Sequence, residues 1–318
     1  MADAKRYVAI TGGVGGAKLA LGLIQLLGPD EITFIVNTGD DFEHLGLHIS
    51  PDIDTLVYTL SGLSNTEAGW GRRGETWQFM QALKQFGGET WFNLGDLDLA
   101  MHIERTQRLR RGADLTAVTR QLATSLGVKH SILPMSDAPV RTMIGTADGE
   151  LAFQHYFVRD RCAPAVTGFR FDGAATANPT PQIEAALDDP RLAGVIICPS
   201  NPFVSVDPVL AVPGLRERMG RIRAPVVAIS PIVAGTAIKG PTAKMMTELS
   251  IPNDAVAVAR HYRGLIRGFV LDSQDAALES AVAALGIATV VTQTVMLTLP
   301  DRQQLAADVL RFIKRLNA

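Results

Sequence analysis

An apolar stretch, Val8-Ala9-Ile10-Thr11, runs straight into Gly12-Gly13-Val14-Gly15-Gly16-Ala17-Lys18. β-Branched residues followed at once by glycines read as a strand, a tight turn and a helix starting near Gly15. That unit opens an α/β sheet and constrains everything downstream. Glycines let backbone N–H groups approach anionic oxygens, the positive end of the helix points at the same spot, and Lys18 adds charge one turn in. The expectation is a phosphate-binding loop; the structural alternative is a tight turn without ligand. Neither common fingerprint fits. A dinucleotide pattern begun at Gly13 needs glycine or alanine where Lys18 stands, and a P-loop needs glycine where Ala17 stands.

Strand-length apolar runs recur at Tyr7–Thr11, Ile32–Asn37, Gly194–Pro199, Pro225–Ser230, Gly268–Asp272 and Ile287–Thr292, mostly separated by helix-period segments. Helices are expected at about 15–27, 52–62, 75–86, 99–111, 114–126, 206–220, 241–249, 253–264, 274–285 and 302–316. This is the pattern of an α/β, Rossmann-like, mostly parallel twisted sheet with helices on both faces. Residues 130–185 break the rhythm with Pro, Gly, Thr and Asp and a strand-like Leu151–Val158. They read as an inserted cap within a single domain spanning 1–318. Most of the strands end in small or polar residues, and ligands of open α/β sheets collect at that carboxyl edge.

Composition narrows the partners. A formal charge of −2 offers no footprint for nucleic acid, and Arg105, Arg108, Arg110 and Arg111 read as a solvated helix end. Cys162 and Cys198 are too few for a disulfide framework or a thiolate metal site, and no apolar run has the length of a membrane span. Met1–Arg6 leads directly into a strand rather than reading as a signal peptide, so a cytoplasmic protein is expected.

A second cluster, Asn37-Thr38-Gly39-Asp40-Asp41 followed by Ser50-Pro51-Asp52-Ile53-Asp54, concentrates four aspartates around one loop. Such carboxylates repel unless a cation sits among them, and Mg²⁺ takes one or two carboxylates plus phosphate oxygens. Asp52 alone also reads as a helix-cap residue, and Asp40 or Asp41 as the ribose acid of a nicotinamide site. His44 and His48 lack the pattern of a zinc helix and read as structural or solvated. Trp91-Phe92-Asn93-Leu94-Gly95-Asp96-Leu97-Asp98-Leu99-Ala100, with Leu133-Pro134-Met135-Ser136-Asp137 downstream, sets aromatics beside polar groups, as a flat ring requires, or as a core strand end before a capped helix would. Ser200-Asn201-Pro202 and Ser230-Pro231-Ile232 form rigid loops, and Lys239 or Lys244 is positioned to neutralise phosphate.

Taken in series, Gly12–Lys18, Asn37–Asp41, Ser50–Thr55, Leu94-Gly95-Asp96, Leu133-Pro134-Met135-Ser136-Asp137, Ser200-Asn201-Pro202 and Ser230-Pro231-Ile232 resemble the 2-phospho-L-lactate transferase family of coenzyme F-420 biosynthesis. The resemblance implies a guanosine diphosphate-activated phospho-acid donor, a deazariboflavin acceptor, Mg²⁺, release of GMP and a homodimer. It places Gly12, Gly13, Gly15, Gly16, Lys18, Asn37, Ser200, Asn201 and Ser230 at the donor. Asp40, Asp41 and Asp54 fall at the metal, and Asp54, Asn93, Gly95, Asp96 and Ser136 at the deazaflavin, with Asp54 as the catalytic group. A nucleotide-sugar-binding regulator of the same fold and, further off, a nicotinamide oxidoreductase are the alternatives.

Overall fold

The computed structural model describes residues 4–65 and 69–318, so the first three residues of the Met1–Arg6 leader lie outside it. Seven strands form one sheet: β1 (Arg6–Thr11), β2 (Ile32–Val36), β3 (Ser131–Pro134), β4 (Leu192–Ile197), β5 (Val226–Ile229), β6 (Gly268–Asp272) and β7 (Ala288–Thr292). Their order is β7-β6-β5-β4-β1-β2-β3, with every neighbouring pair parallel. The apolar runs are unbroken because both faces are covered. Val8 and Ile10 of β1 join one core with Val195, Ile197, Ala228 and Phe269, whereas Ala9 joins the other with Phe34, Ile196, Val227 and Val270.

Helices α1 (Gly13–Leu23), α2 (Pro51–Leu60) and α5 (Leu115–Ser125), together with the C-terminal helix Leu299–Leu316, cover one face. Helices α3 (Gln78–Gln85) and α4 (Asp96–Arg110) lie between α2 and α5 in the chain. Leu19 and Leu23 of α1 are fully buried, each contributing about 2 kcal/mol. Gly22 permits close approach of the C-terminal helix, since a Cβ there would stand 2.1 Å from the Arg302 carbonyl oxygen. Strand order reverses between β1 and β4, and the loops leaving these two strands open a crevice at the carboxyl edge.

The stretch 130–185 holds two different structures. Ser131–Pro134 is the edge strand of the main sheet; at four residues it is too short to register as an apolar run, and Pro134 suits an edge position. Beyond it, Arg141–Thr146, Gly149–Ala152 and Gly168–Asp172 make a separate three-stranded antiparallel sheet with Arg141–Thr146 in the middle. The strand expected at Leu151–Val158 stops at Ala152 and turns helical at His155–Arg159. Phe153 and Tyr156, three apart and both buried, supply the helical spacing hidden in that stretch.

Candidate functional site

At the crevice, α1 starts at Gly13 rather than Gly15, and Gly13 adopts φ +66°, a left-handed turn that glycine enters without strain. The other glycines serve packing. A Cβ at Gly12 would fall 2.7 Å from Asp52 Oδ2, at Gly15 2.4 Å from the Pro199 carbonyl oxygen, and at Gly16 2.2 Å from Thr11 Oγ1. Only at Gly13, among these, does nothing lie within 4 Å. The Ser200 hydroxyl donates to the Gly12 carbonyl at 2.8 Å and accepts from the Gly12 N–H at 3.2 Å, locking the β1 and β4 loops together. The Gly13 N–H donates to Asp52 Oδ1 at 2.7 Å. A carboxylate of α2 thus sits at the positive end of α1. Asp52 caps a helix, but α1 rather than its own.

Asn37, at the end of β2, ties Asp52 to Asp40. Its Nδ2 lies 3.0 Å from Asp40 Oδ1 and 2.9 Å from Asp52 Oδ2, while its Oδ1 accepts from the Gly39 N–H at 2.8 Å. Asp40 and Asp52 are both buried, and no ion pair reaches either one among the described residues. Burial, then the neighbouring Asp52, raises the Asp40 carboxyl well above its ordinary value. Burial likewise pushes Asp52 up to about 6, against the hydrogen bonds from Asn37 and Gly13. Asp41 points elsewhere, accepting from the Ser50 hydroxyl at 2.8 Å and facing His48 Nε2 at 3.1 Å. His44 is buried against the edges of Trp91 and Phe92, so both histidines are structural.

Asp54, one turn along α2 from Ser50, is held by both terminal nitrogens of Arg105 of α4. Burial raises its carboxyl against the pull of Arg105, and in turn Asp54 holds Arg105 above its ordinary value despite complete burial. Arg105 is 0% exposed, which corrects the reading of this arginine as part of a solvated helix end. Asp98 and His102 of α4 and Tyr58 of α2 surround the pair. Ligand atoms of Asp54, Asp98 and His102 lie within 4.8 Å of one another, a grouping that Asp40, Asp41 and Asp54 do not make among the described residues.

These groups open into one cavity of about 630 Å³. Gly12, Gly13, Gly15, Lys18, Asp40, Asp54, Asn93, Ser200, Asn201 and Ser230 line it; Gly16, Asn37, Asp41, Gly95, Asp96 and Ser136 do not. Asn37 stands behind Asp40 and Asp52, and Gly16 behind Ser200. Asp96 accepts from the Gln78 and Phe79 N–H groups, and Glu75 from those of Leu97 and Asp98, so α3 and α4 cap each other. Gly95 admits the Glu75 carboxylate, which a Cβ would meet at 2.2 Å. Ser136 donates to the Asn178 carbonyl at 2.7 Å. Lys18 donates to the Met296 carbonyl, and burial, then Arg302 and Lys239, lowers it; Lys239 also lines the cavity, whereas Lys244 pairs with Glu248 outside it.

Lining residues that the sequence reading did not single out include Tyr58, Trp70, His102, Phe153 and Phe157, while Asp52 of the acidic loop and Asp98 of the aromatic cluster line it without having been assigned a site role. Trp70, Trp91, Phe92, Phe153 and Phe157 give the cavity an aromatic wall, with Phe153 and Phe157 stacked at 5.3 Å. A signal for part of this was present. Asp98, His102 and Arg105 are spaced i, i+4, i+7, which puts them on one helix face.

Among solved structures, a UPF0052-family protein of Bacillus halodurans matches 98% of this chain at TM-score 0.61 and 16% identity, a likeness of fold alone. A phosphoenolpyruvate transferase of Kitasatospora aureofaciens is 41% identical, covering 89% of this chain and 90% of its own. A 2-phospho-L-lactate transferase of Methanosarcina mazei is 36% identical, covering 96% and 99%. The family profile described as 2-phospho-L-lactate transferase CofD matches residues 7–310, and the chain therefore belongs to that family of transferases.

Proposed function

We propose that this transferase moves a phospho-organic-acid group (phospholactyl, phosphoenolpyruvyl or phosphoglyceryl) from a guanosine diphosphate-activated donor to the terminal ribityl hydroxyl of a deazariboflavin, in coenzyme F-420 biosynthesis. The observation that carries the reading is that one cavity unites the open glycine turn at Gly13, two buried carboxylates without counter-charge, and an aromatic wall. The donor's diphosphate belongs beside α1, with Lys18 and Lys239 offsetting its charge. The deazaflavin ring belongs against the aromatics near Asn93. The attacking hydroxyl oxygen loses its proton to solvent and forms a bond to the phosphorus bearing the acid, the bond from that phosphorus to the bridging oxygen breaks, and GMP departs with that electron pair. Asp54 accepts the hydrogen bond of the incoming hydroxyl and orients it. Positioning and charge neutralisation carry such a step.

The donor set fits a hard divalent cation. Asp40 and Asp52 are the pair we assign to Mg²⁺, because both line the cavity and neither has a protein cation, whereas Asp54 has Arg105 and Asp41 is turned to Ser50 and His48. When bound there, Mg²⁺ supplies neutralisation of phosphate charge. The relatives' names span two acids, so the proposal is the class of group rather than one member. The test is chromatography of the chain with donor, deazariboflavin and Mg²⁺. Equal amounts of GMP and the new phosphodiester are expected; ligand binding without GMP release would refute the reading and favour a nucleotide-sugar-binding regulator.

A further inference from the structure

The grouping of Asp54, Asp98 and His102 has the dimensions of a metal site, yet a protein group already stands in it. The guanidinium of Arg105 bonds both Asp54 oxygens and lies 3.2 Å from His102 Nδ1. Arginine only donates, so His102 Nδ1 must be the bare nitrogen that accepts. The imidazole proton then sits on Nε2, which is within ion-pair distance of Asp98 Oδ2 at 3.3 Å but is not aligned into a hydrogen bond with it. The Tyr58 hydroxyl donates to the other oxygen, Asp98 Oδ1, at 2.5 Å. Burial and the adjacent carboxylates raise Tyr58, keeping it a donor.

We propose that Tyr58, Asp98, His102 and Arg105 are positioning residues: a buried relay in which Arg105 replaces a metal ion and aims the Asp54 carboxylate into the cavity. The relay is a polar seam between two helices. Asp54 and Tyr58 are one turn apart on α2, and Asp98, His102 and Arg105 follow one face of α4. An apolar seam of the same volume would serve stability as well or better, so what the buried charges add is a fixed carboxylate. A carboxylate bonded by both guanidinium nitrogens cannot swing, which is what orienting a hydroxyl for attack requires. Arg105 also reaches the His48 carbonyl at 3.4 Å, tying the seam to the antiparallel pair Phe42–His44 and Leu47–Ile49, whose His48 ring faces Asp41.

The inference rests on the acceptor-side role given to Asp54 above, and its test separates the two. His102→Ala removes both halves of the central link; His102→Gln keeps them, since an amide offers one N–H to Asp98 and one carbonyl to Arg105. For the relay, His102→Ala lowers kcat about a hundredfold with little change in KM for either substrate, and His102→Gln restores most of that loss. If Gln rescues no better than Ala, or if either variant raises the Mg²⁺ requirement about tenfold, His102 is a metal ligand and the relay is overturned. A second measurement needs no turnover. ¹⁵N spectra of the His102 ring, assigned by its loss in His102→Gln, are expected to show a bare Nδ1 and a protonated Nε2, unchanged between EDTA and Mg²⁺. The opposite tautomer, or a Mg²⁺-dependent shift, overturns the relay even if Ala substitution unfolds the chain. Absence of GMP release by the wild-type protein would instead strike the transferase reading and leave the spectra to decide the relay.

Discussion

Asp52→Asn in metal-free protein isolates the cost of the uncompensated carboxylates. Asp52 is 6% exposed, and its carboxyl is pushed from the ordinary 3.8 up to about 6. That gap of about two pH units corresponds to about 3 kcal/mol against the charged form in the fold. The native value lies above the unfolded one, so between them the native state holds more protons and stability falls as pH rises. The loss begins near pH 4 and is complete a little above pH 6. Asparagine does not titrate there, and since it also removes the charge that raises Asp40, the difference between the two proteins reads Asp52 together with its repulsion on Asp40. The assay is urea denaturation of both proteins in EDTA at pH 4 to 8. Wild-type stability minus that of Asp52→Asn should fall by about 3 kcal/mol, or about 5 °C in Tm for a chain of this size. At pH 7, Mg²⁺ at a hundred times its Kd should return about 2.7 kcal/mol to the wild type, less to the variant, and less at pH 4. A difference curve that is flat, or that rises with pH, would refute the reasoning.

Three further outcomes follow from the same geometry. Asp54→Asn should lower kcat at least about a hundredfold while donor affinity, read by calorimetry, stays near wild type; a near-normal kcat would remove Asp54 from the acceptor. Gly15→Ala should destabilise by about 1–3 kcal/mol, because the Pro199 carbonyl cannot retreat without moving the β4 loop, and unchanged Tm would contradict that packing role. Arg105→Ala should cost about 3–5 kcal/mol by leaving the buried Asp54 without its cation, measurable by denaturant titration.

The sheet was legible because β1, β2, β4, β5 and β6 are largely buried on both faces and so read as apolar runs, while the half-buried edge strand β7 was legible from its β-branched run Thr289-Val290-Val291-Thr292. β3 was not, since Ser131–Pro134 offers only Ile132 and Leu133 between polar and proline neighbours. At the site, the Gly12–Lys18 turn and the acidic loop announced themselves as clusters within a few residues. What they do to each other is tertiary. That Asp52 caps α1, so that Asp52 rather than Asp41 joins Asp40 at the cavity, follows from how α2 docks on α1, which no local pattern records. Arg105 was masked by Arg108, Arg110 and Arg111, which do lie at the surface or near it; only helical phasing from Asp98 and His102 separates it from them. Gly95 and Asp96 show the reverse case, where a conspicuous Gly-Asp pair serves the mutual capping of α3 and α4.

The most direct measurement is a crystal structure of the protein with GDP, deazariboflavin and Mn²⁺ as an anomalous substitute for Mg²⁺. The account predicts an anomalous peak against Asp40 and Asp52, the diphosphate beside Gly13, and the terminal ribityl hydroxyl within hydrogen-bond distance of Asp54. A metal seated between Asp54, Asp98 and His102, or a deazaflavin bound away from Asp54 and the aromatic wall, would contradict it.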